Sequence, residues 1–263
     1  DAASRILSNS KAPLVYGLSR SSTEGQRAAV RLADRLGAVI DTTASTCHAP
    51  SIVALQSVGE STSTLGEVRN RSDLVVYWGS NPAKSHPRHI ERVVDASGQF
   101  VPRGRAGRRL IVVDAVEPAT ATLADRFVQV EPNRDFELMW ALRGFIQDKP
   151  EFFNKTTPEA AGGVAWPQIK SLADDLISAN YGALFFGLGI TRGEVPHATV
   201  EALLRLVTDL NARTRFIVRR MRIPGDVAGA DCVLCWQTGF PFSVDLARDR
   251  KSTRLNSSHV ALS

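Results

Sequence analysis

The chain has 263 residues, 43% hydrophobic and 22% charged. That composition excludes wholesale disorder and allows a core that needs no disulfides. Three cysteines are too few, and too odd in number, for a disulfide scaffold, and no apolar run approaches the roughly 18–20 residues that span a bilayer. The net charge of +5 permits nucleic-acid binding. The basic residues, however, cluster in Lys84 to Arg92 and in Arg103, Arg105, Arg108 and Arg109, with no interleaved aromatics for base stacking. The expectation is a cytoplasmic protein with no nucleic-acid and no membrane partner, its cations meeting a phosphate-bearing small molecule or an acidic partner.

From the N-terminus, Leu14-Val15-Tyr16 predicts a strand that ends at Gly17. Thr23 followed by Gln26 is a capping-box spacing. Ala29, Leu32, Ala33 and Leu36 then predict one apolar helical face, with Gly37 as the stop. Ala38-Val39-Ile40 resumes a strand, completing a βαβ unit. Asp73 to Trp78 and Leu110 to Val113 are continuous apolar strands of the kind a buried parallel sheet requires, and Val101 to Arg109 reads as an exposed basic loop. Helices are predicted over Asp135 to Gln147 and Pro167 to Ser178, with a Pro/Gly/Thr-punctuated connection over 148–166. Gly182 to Phe186 is a strand running into Gly187-Leu188-Gly189. Val200, Leu203, Leu204, Val207 and Leu210 mark a helix, and Arg215 to Val218 a last strand.

The alternation predicts an α/β fold, doubly wound, with mostly parallel sheets and flanking helices, in two Rossmann-like lobes. The boundaries expected are 1–50 completed by 222–249 for one lobe and 51–221 for the other. The polar stretch 250–263 lacks periodicity and is set aside as a non-domain tail.

Cys47 and His48 follow the first βαβ unit directly, on a loop leaving a strand end, where α/β proteins bind ligands. A neighbouring imidazole and a following helix N-terminus favour the thiolate that ligates metals; a buried inert thiol is the other reading. Cys232 and Cys235 form a Cys-x-x-Cys without a second pair, and Val233-Leu234 between them suggests an apolar strand rather than a zinc site. His86 and His89 fall to a polar loop and the start of a helix, and stay unassigned.

Three stretches in this order carry a resemblance: Cys47-His48-Ala49-Pro50-Ser51, Gln56 to Ser61, and Asp73 to Pro87 with Gly79-Ser80-Asn81-Pro82 at its centre. Together they resemble the molybdopterin oxidoreductase family, and within it the B-type subunits of formylmethanofuran dehydrogenase and of the bacterial formyltransferase/hydrolase complex. Cys232 to Asp245 is similar to those B-type subunits in particular, and the resemblance covers about residues 10–247.

It implies molybdenum- or tungsten-dependent interconversion of carbon dioxide and formate, with other subunits of such a complex as partners. The implied cofactor is a molybdopterin guanine dinucleotide. Cys47 matches the metal-binding thiolate, a soft ligand, and His48 the adjacent active-site imidazole. Arg222 matches the guanidinium that orients a carboxylate. A capping role for His48 and a surface position for Arg222 are the plainer alternatives. Gly79, Ser80, Asn81, Asp114, Thr120, Asp135, Gly187, Gly189 and Thr191 match cofactor-binding positions. If the carried-over site holds, Cys47, His48 and Arg222 converge.

The [4Fe–4S]-binding cysteine cluster of archaeal members would be held by a segment that is not in this chain. Ala49 replaces the family's usual Gly, Ile223 another Gly, and Ala115-Val116 the usual Pro-Arg. These departures support a second reading, a non-catalytic scaffold subunit of a formyltransferase/hydrolase complex.

Overall fold

A computed structural model describes residues 2–149, 159–222, 225 and 227–247. In chain order its main elements begin with α1 (Ala2–Asn9), β1 (Leu14–Gly17), α2 (Thr23–Leu36), β2 (Val39–Thr42), α3 (Ala49–Val58), α4 (Leu65–Arg71) and β3 (Leu74–Trp78). β4 (Arg109–Asp114), β5 (Arg126–Gln129), α5 (Asp135–Ile146), the short pair β6 (Ala160–Ala161) and β7 (Val164–Ala165), and α6 (Trp166–Ile177) follow. β8 (Tyr181–Phe186), α7 (Pro196–Leu210), β9 (Arg215–Arg220), α8 (Val227–Thr238) and β10 (Val244–Asp245) complete the chain. Two compact units result, 1–49 with 224–263 and 50–223. Residues 150–158 of the 148–166 connection, and the whole 250–263 tail, lie outside the described residues.

The larger unit is built on a five-stranded sheet of order β5-β4-β3-β8-β9, parallel at every pairing. β3 and β8 are buried at every residue, which is why their sequences are apolar without alternation. Successive side chains feed opposite layers. Leu74, Val76 and Trp78 pack with α5, α6 and α7, whereas Val75 and Tyr77 pack with Val68, Ile90, Val93 and Val94. The chain builds β3, β4 and β5 toward one edge and then returns to place β8 and β9 on the other side of β3. The winding therefore reverses between β3 and β8, the place where open α/β sheets form ligand crevices.

In the smaller unit β1 and β2 pair in parallel and β10 pairs antiparallel to β2. Val30, Ala33, Ala38, Ile40, Val233, Leu234, Val244 and Leu246 form its core among the described residues. No helix among the described residues is long and apolar enough to cross a membrane.

Several sequence expectations are corrected. The α2 cap is Ser22, whose Oγ accepts from the Gly25 N–H at 3.2 Å, and Gln26 instead donates to the carbonyls of Leu18 and Ser21. The buried α2 face runs through Gln26, Val30 and Ala33, rotated from the predicted stripe, and Leu32 is exposed. Cys232 to Cys235 is helical, because Val227, Ala230, Asp231 and Leu234 repeat at helical spacing and, with Val233, are the buried positions of α8.

A further correction concerns the cations of the middle of the chain. Arg108 is not part of an exposed basic loop: it is buried and donates to the carbonyls of Ser72 (3.0 Å), Val94 (2.6 Å), Ala96 (2.6 Å) and Arg69. Arg105 pairs with Asp125 and Arg109 with Asp175. His89 stands at the start of a helical stretch, as expected, but its ring is buried and packs edge-on against Tyr77 and Phe185 in the core.

Candidate functional site

At the carboxyl ends of the larger sheet the turns after β3 and β8 pack backbone against backbone. The Gly187 N–H donates to the Trp78 carbonyl at 3.1 Å and the Gly189 N–H to the Gly79 carbonyl at 3.0 Å. A methyl group on Gly189 would lie 2.6 Å from the Gly79 Cα, and one on Gly187 2.5 Å from the Gly79 oxygen. Gly79 itself has φ +57°, in the left-handed region that glycine enters without steric cost. The three glycines are thus required by the contact between the two turns.

That contact floors a cleft of about 750 Å³, within the range of small-molecule and cofactor sites. Gly79, Ser80, Asn81, Asp114, Asp135, Gly187 and Gly189 all line it. Ser80 is buried, and its Oγ has no hydrogen-bond partner among the described residues. A buried hydroxyl on a cleft wall without a partner is an open place for a ligand's polar group. The Asp114 Oδ1 accepts from the N–H groups of Ala115 (2.8 Å) and Val116 (3.5 Å). Burial raises the pKa of its carboxyl against those two bonds.

Asp135 is buried and accepts from the Trp78 indole at 2.7 Å. Burial raises its pKa too, and the nearby charge of Asp114 adds to the effect. Two carboxyls that resist ionisation so share one wall. Arg192 brings a guanidinium to the same cleft and favours ionisation of Asp114.

Thr120 and Thr191 stand behind the wall rather than on it. Thr120 is fully buried; its Oγ1 donates to the Asn81 Oδ1 at 2.8 Å and accepts from the Ala83 N–H at 3.1 Å, so it sets the position of Asn81. The Thr191 Oγ1 donates to the Leu188 carbonyl at 3.0 Å.

In the smaller unit the chain leaves β2 through a tight turn. The N–H groups of Cys47, His48 and Ala49 converge on the Ala44 carbonyl at 3.0, 3.0 and 2.9 Å. Cys47 is partly exposed. His48 is buried, and its Nε2 pairs with the Asp231 carboxylate of α8. The other Asp231 oxygen accepts from the Thr42 Oγ1 at 2.6 Å.

Sequence reasoning missed Asp231 and Thr42. The available signal was the helical spacing of Val227, Ala230, Asp231 and Leu234, which sets a carboxylate among buried positions. Arg222 lies two residues beyond the end of β9, half-buried, in the larger unit. Cys232 and Cys235 are exposed on α8. Among the described residues, no three His, Cys, Asp or Glu side chains are grouped to hold a metal ion.

The architecture matches solved structures of known type. The formyltransferase/hydrolase complex FhcABCD of Methylorubrum extorquens, solved with methylofuran, aligns with a TM-score of 0.69 and 26% identity, over 94% of this chain and 63% of that one. Acetylene hydratase from Pelobacter acetylenicus aligns with a TM-score of 0.56 at 13% identity, over 76% and 29%, a likeness of fold alone. The fold is therefore molybdopterin oxidoreductase-like.

No protein-family model matches the chain. The sequence is 43% identical over 245 residues to the B-type subunit of the tungsten-containing formylmethanofuran dehydrogenase 2 of Methanocaldococcus jannaschii, covering 93% of this chain and 55% of that protein. It is 26% identical over 240 residues to the B-type subunit of the Methylorubrum extorquens formyltransferase/hydrolase complex, covering 91% and 60%. Over 93% of its length the chain is similar to formylmethanofuran dehydrogenase B-type subunits, and it spans about half the length of the curated relatives it matches.

Proposed function

We propose that this chain forms part of a formylmethanofuran dehydrogenase-type subunit that binds a molybdenum- or tungsten-pterin guanine dinucleotide and takes part in interconverting carbon dioxide and formate. The observation that carries the reading is the cleft at the winding reversal, where an unpartnered buried Ser80 hydroxyl and two carboxyls face the same space. Ser80 and Asn81 would bond the dinucleotide, and Asp114 and Asp135 would accept from its ribose and guanine edges, as acidic residues beside nucleotide-binding strands do. Thr120 and Thr191 would act through Asn81 and the Leu188 turn. The Arg192 guanidinium would offset phosphate charge where Ala115-Val116 offers none.

The bound cofactor supplies the two-electron step between carbon dioxide and formate. Cys47 offers it one soft thiolate, His48 would carry the accompanying proton, and the planar Arg222 fork would hold the carboxylate of formate. The partners would be the other subunits of a formylmethanofuran dehydrogenase complex, where formate is condensed with a methanofuran-type amine.

A second reading, a scaffold subunit of a formyltransferase/hydrolase complex, is favoured by Ala49, Ile223 and Ala115-Val116. Metal analysis of the purified complex and a Cys47→Ala variant separate the two. A redox subunit contains molybdenum or tungsten in near-stoichiometric amount, and Cys47→Ala loses carbon dioxide–formate exchange while formyl transfer continues. An active complex free of both metals and of pterin, unchanged by the substitution, means the scaffold.

A further inference from the structure

We infer that Asp231, backed by Thr42, fixes the proton of His48 on Nε2 and leaves Nδ1 as the acceptor nitrogen; its catalytic meaning rests on the reading of His48 given above. The three side chains come from distant positions, at the end of β2, in the turn that follows it and on α8, separated by 183 and 189 residues. They meet in one buried cluster, with Thr42 0%, His48 4% and Asp231 7% exposed. A carboxylate buried this far is tolerated when both oxygens receive hydrogen bonds.

The polarity of the chain can be followed atom by atom. The Ala44 N–H donates to the Thr42 Oγ1 at 3.2 Å. The hydroxyl therefore turns its own proton to the Asp231 Oδ1, 2.6 Å away. An ionised carboxylate only accepts, so the bond between its Oδ2 and the imidazole needs a proton on Nε2. A carboxylate on one ring nitrogen is the ordinary device for setting a histidine's tautomer and ring orientation. Asp231 is thus a positioning residue acting through His48. Its helix carries it on the buried face with Ala230 and Leu234, so the group is held by the core of the smaller unit.

Substitution by asparagine should reverse the polarity. The amide oxygen would take the place facing the Thr42 hydroxyl, and the NH₂ would then face Nε2 and donate to it. The ring proton would move to Nδ1, as it does when the aspartate of a Ser-His-Asp triad is exchanged for asparagine.

The test is ¹⁵N NMR of the full chain labelled at histidine, at about pH 9, above the ordinary imidazole range. The chain holds five histidines, and the His48 signals are those lost in His48→Gln. The expected result is the Nε2–H tautomer in the wild type and the Nδ1–H tautomer in Asp231→Asn. An imidazolium or an Nδ1–H tautomer in the wild type overturns the inference, as does an unchanged tautomer in folded Asp231→Asn. If that variant does not fold, the wild-type spectrum decides alone.

In the metal-loaded complex, Asp231→Asn should also lower kcat for formate oxidation by about 10²–10⁴-fold, with KM little changed, the usual worth of a positioned acid–base group. A tautomer that flips without loss of turnover removes His48 from the proposed mechanism and leaves the assignment of Asp231 standing.

Discussion

In the larger unit β3 is buried along its whole length between two helical layers, whereas in the smaller unit Leu14 and Tyr16 of β1 and Val39 of β2 stand 60%, 48% and 38% exposed. The larger sheet buries apolar side chains on both faces, so its strand ends can be given over to glycine turns and carboxyls without loss of the core. Among the described residues the smaller sheet has a core cluster of eight buried apolar side chains, and among its buried side chains Gln26, Thr42, His48 and Asp231 are polar. One unit holds its shape by hydrophobic burial, and the other relies more on directed hydrogen bonds.

Arg108 offers the hardest test of that contrast, since it is a buried ion in the unit that otherwise relies on apolar packing. Its guanidinium serves four carbonyls from two segments, at Arg69 and Ser72 and at Val94 and Ala96. Burial lowers its pKa, yet arginine stays charged in proteins. Arg108→Met keeps the length of the side chain and strands those carbonyls. The expected loss is about 3–5 kcal/mol, the range for breaking a buried charged network, read as a fall in the urea midpoint. A loss under about 1 kcal/mol would mean that apolar packing alone holds the larger unit.

What could be read from sequence follows the same division. Leu74 to Trp78, Leu110 to Val113 and Gly182 to Phe186 are legible because strands buried on both faces must be apolar throughout. The strand-end residues fall on one cleft because parallel strands share a carboxyl edge. The smaller unit is less legible: Cys232 to Cys235 holds too few apolar residues to tell period 2 from period 3.6, and its helical state shows only with Val227 and Ala230. The buried face of α2 is chosen by what α8 and β2 bring against it. Arg108 is misread, and the burial of His89 goes unseen, for one reason: a charged or polar residue in a polar stretch gives no sign that its side chain turns inward. The pairing of His48 with Asp231 spans 183 residues, and nothing local encodes it.

His89 should give the next largest effect, through pH. Burial, aided by the charges of His86 and Arg219, lowers its pKa from 6.5 to about 4. Its Nε2 and the hydroxyl of the neighbouring Tyr77 have no hydrogen-bond partner among the described residues. Above about pH 6.5 the ring is neutral in both folded and unfolded chains and costs nothing. Between about 6.5 and 4 the unfolded chain takes up a proton that the folded one refuses, so stability falls as the pH drops. The full loss is of order 3 kcal/mol, from about 1.4 kcal/mol per pKa unit. Urea midpoints at pH 7.5 and 4.5 check it: His89→Phe should lose distinctly less stability than the wild type across that interval. Equal losses would show that the ring is not the group responsible, and that the buried aromatic layer is indifferent to acid.

The smallest effect separates two neighbouring residues of the smaller unit. The Ser22 Oγ accepts from the Gly25 N–H at 3.2 Å, with Ser22 in the extended conformation of an N-cap (φ −66°, ψ 162°). Thr23, where the capping-box spacing places the cap, is instead the first residue of α2 and exposed. The side chain of Gln26, which that spacing would send back to the cap, is held by the carbonyls of Leu18 and Ser21 at 3.2 and 3.1 Å. Removing a cap hydroxyl leaves one of the first N–H groups of the helix without its partner, at a cost of about 1 kcal/mol. Ser22→Ala should therefore lower stability by about that amount, whereas Thr23→Ala should stay within about 0.5 kcal/mol, as surface substitutions do. Paired thermal melts of the two variants measure the difference directly. The reverse order, with Thr23 the costly position, would place the cap where the sequence spacing puts it and shift the start of α2 by one residue.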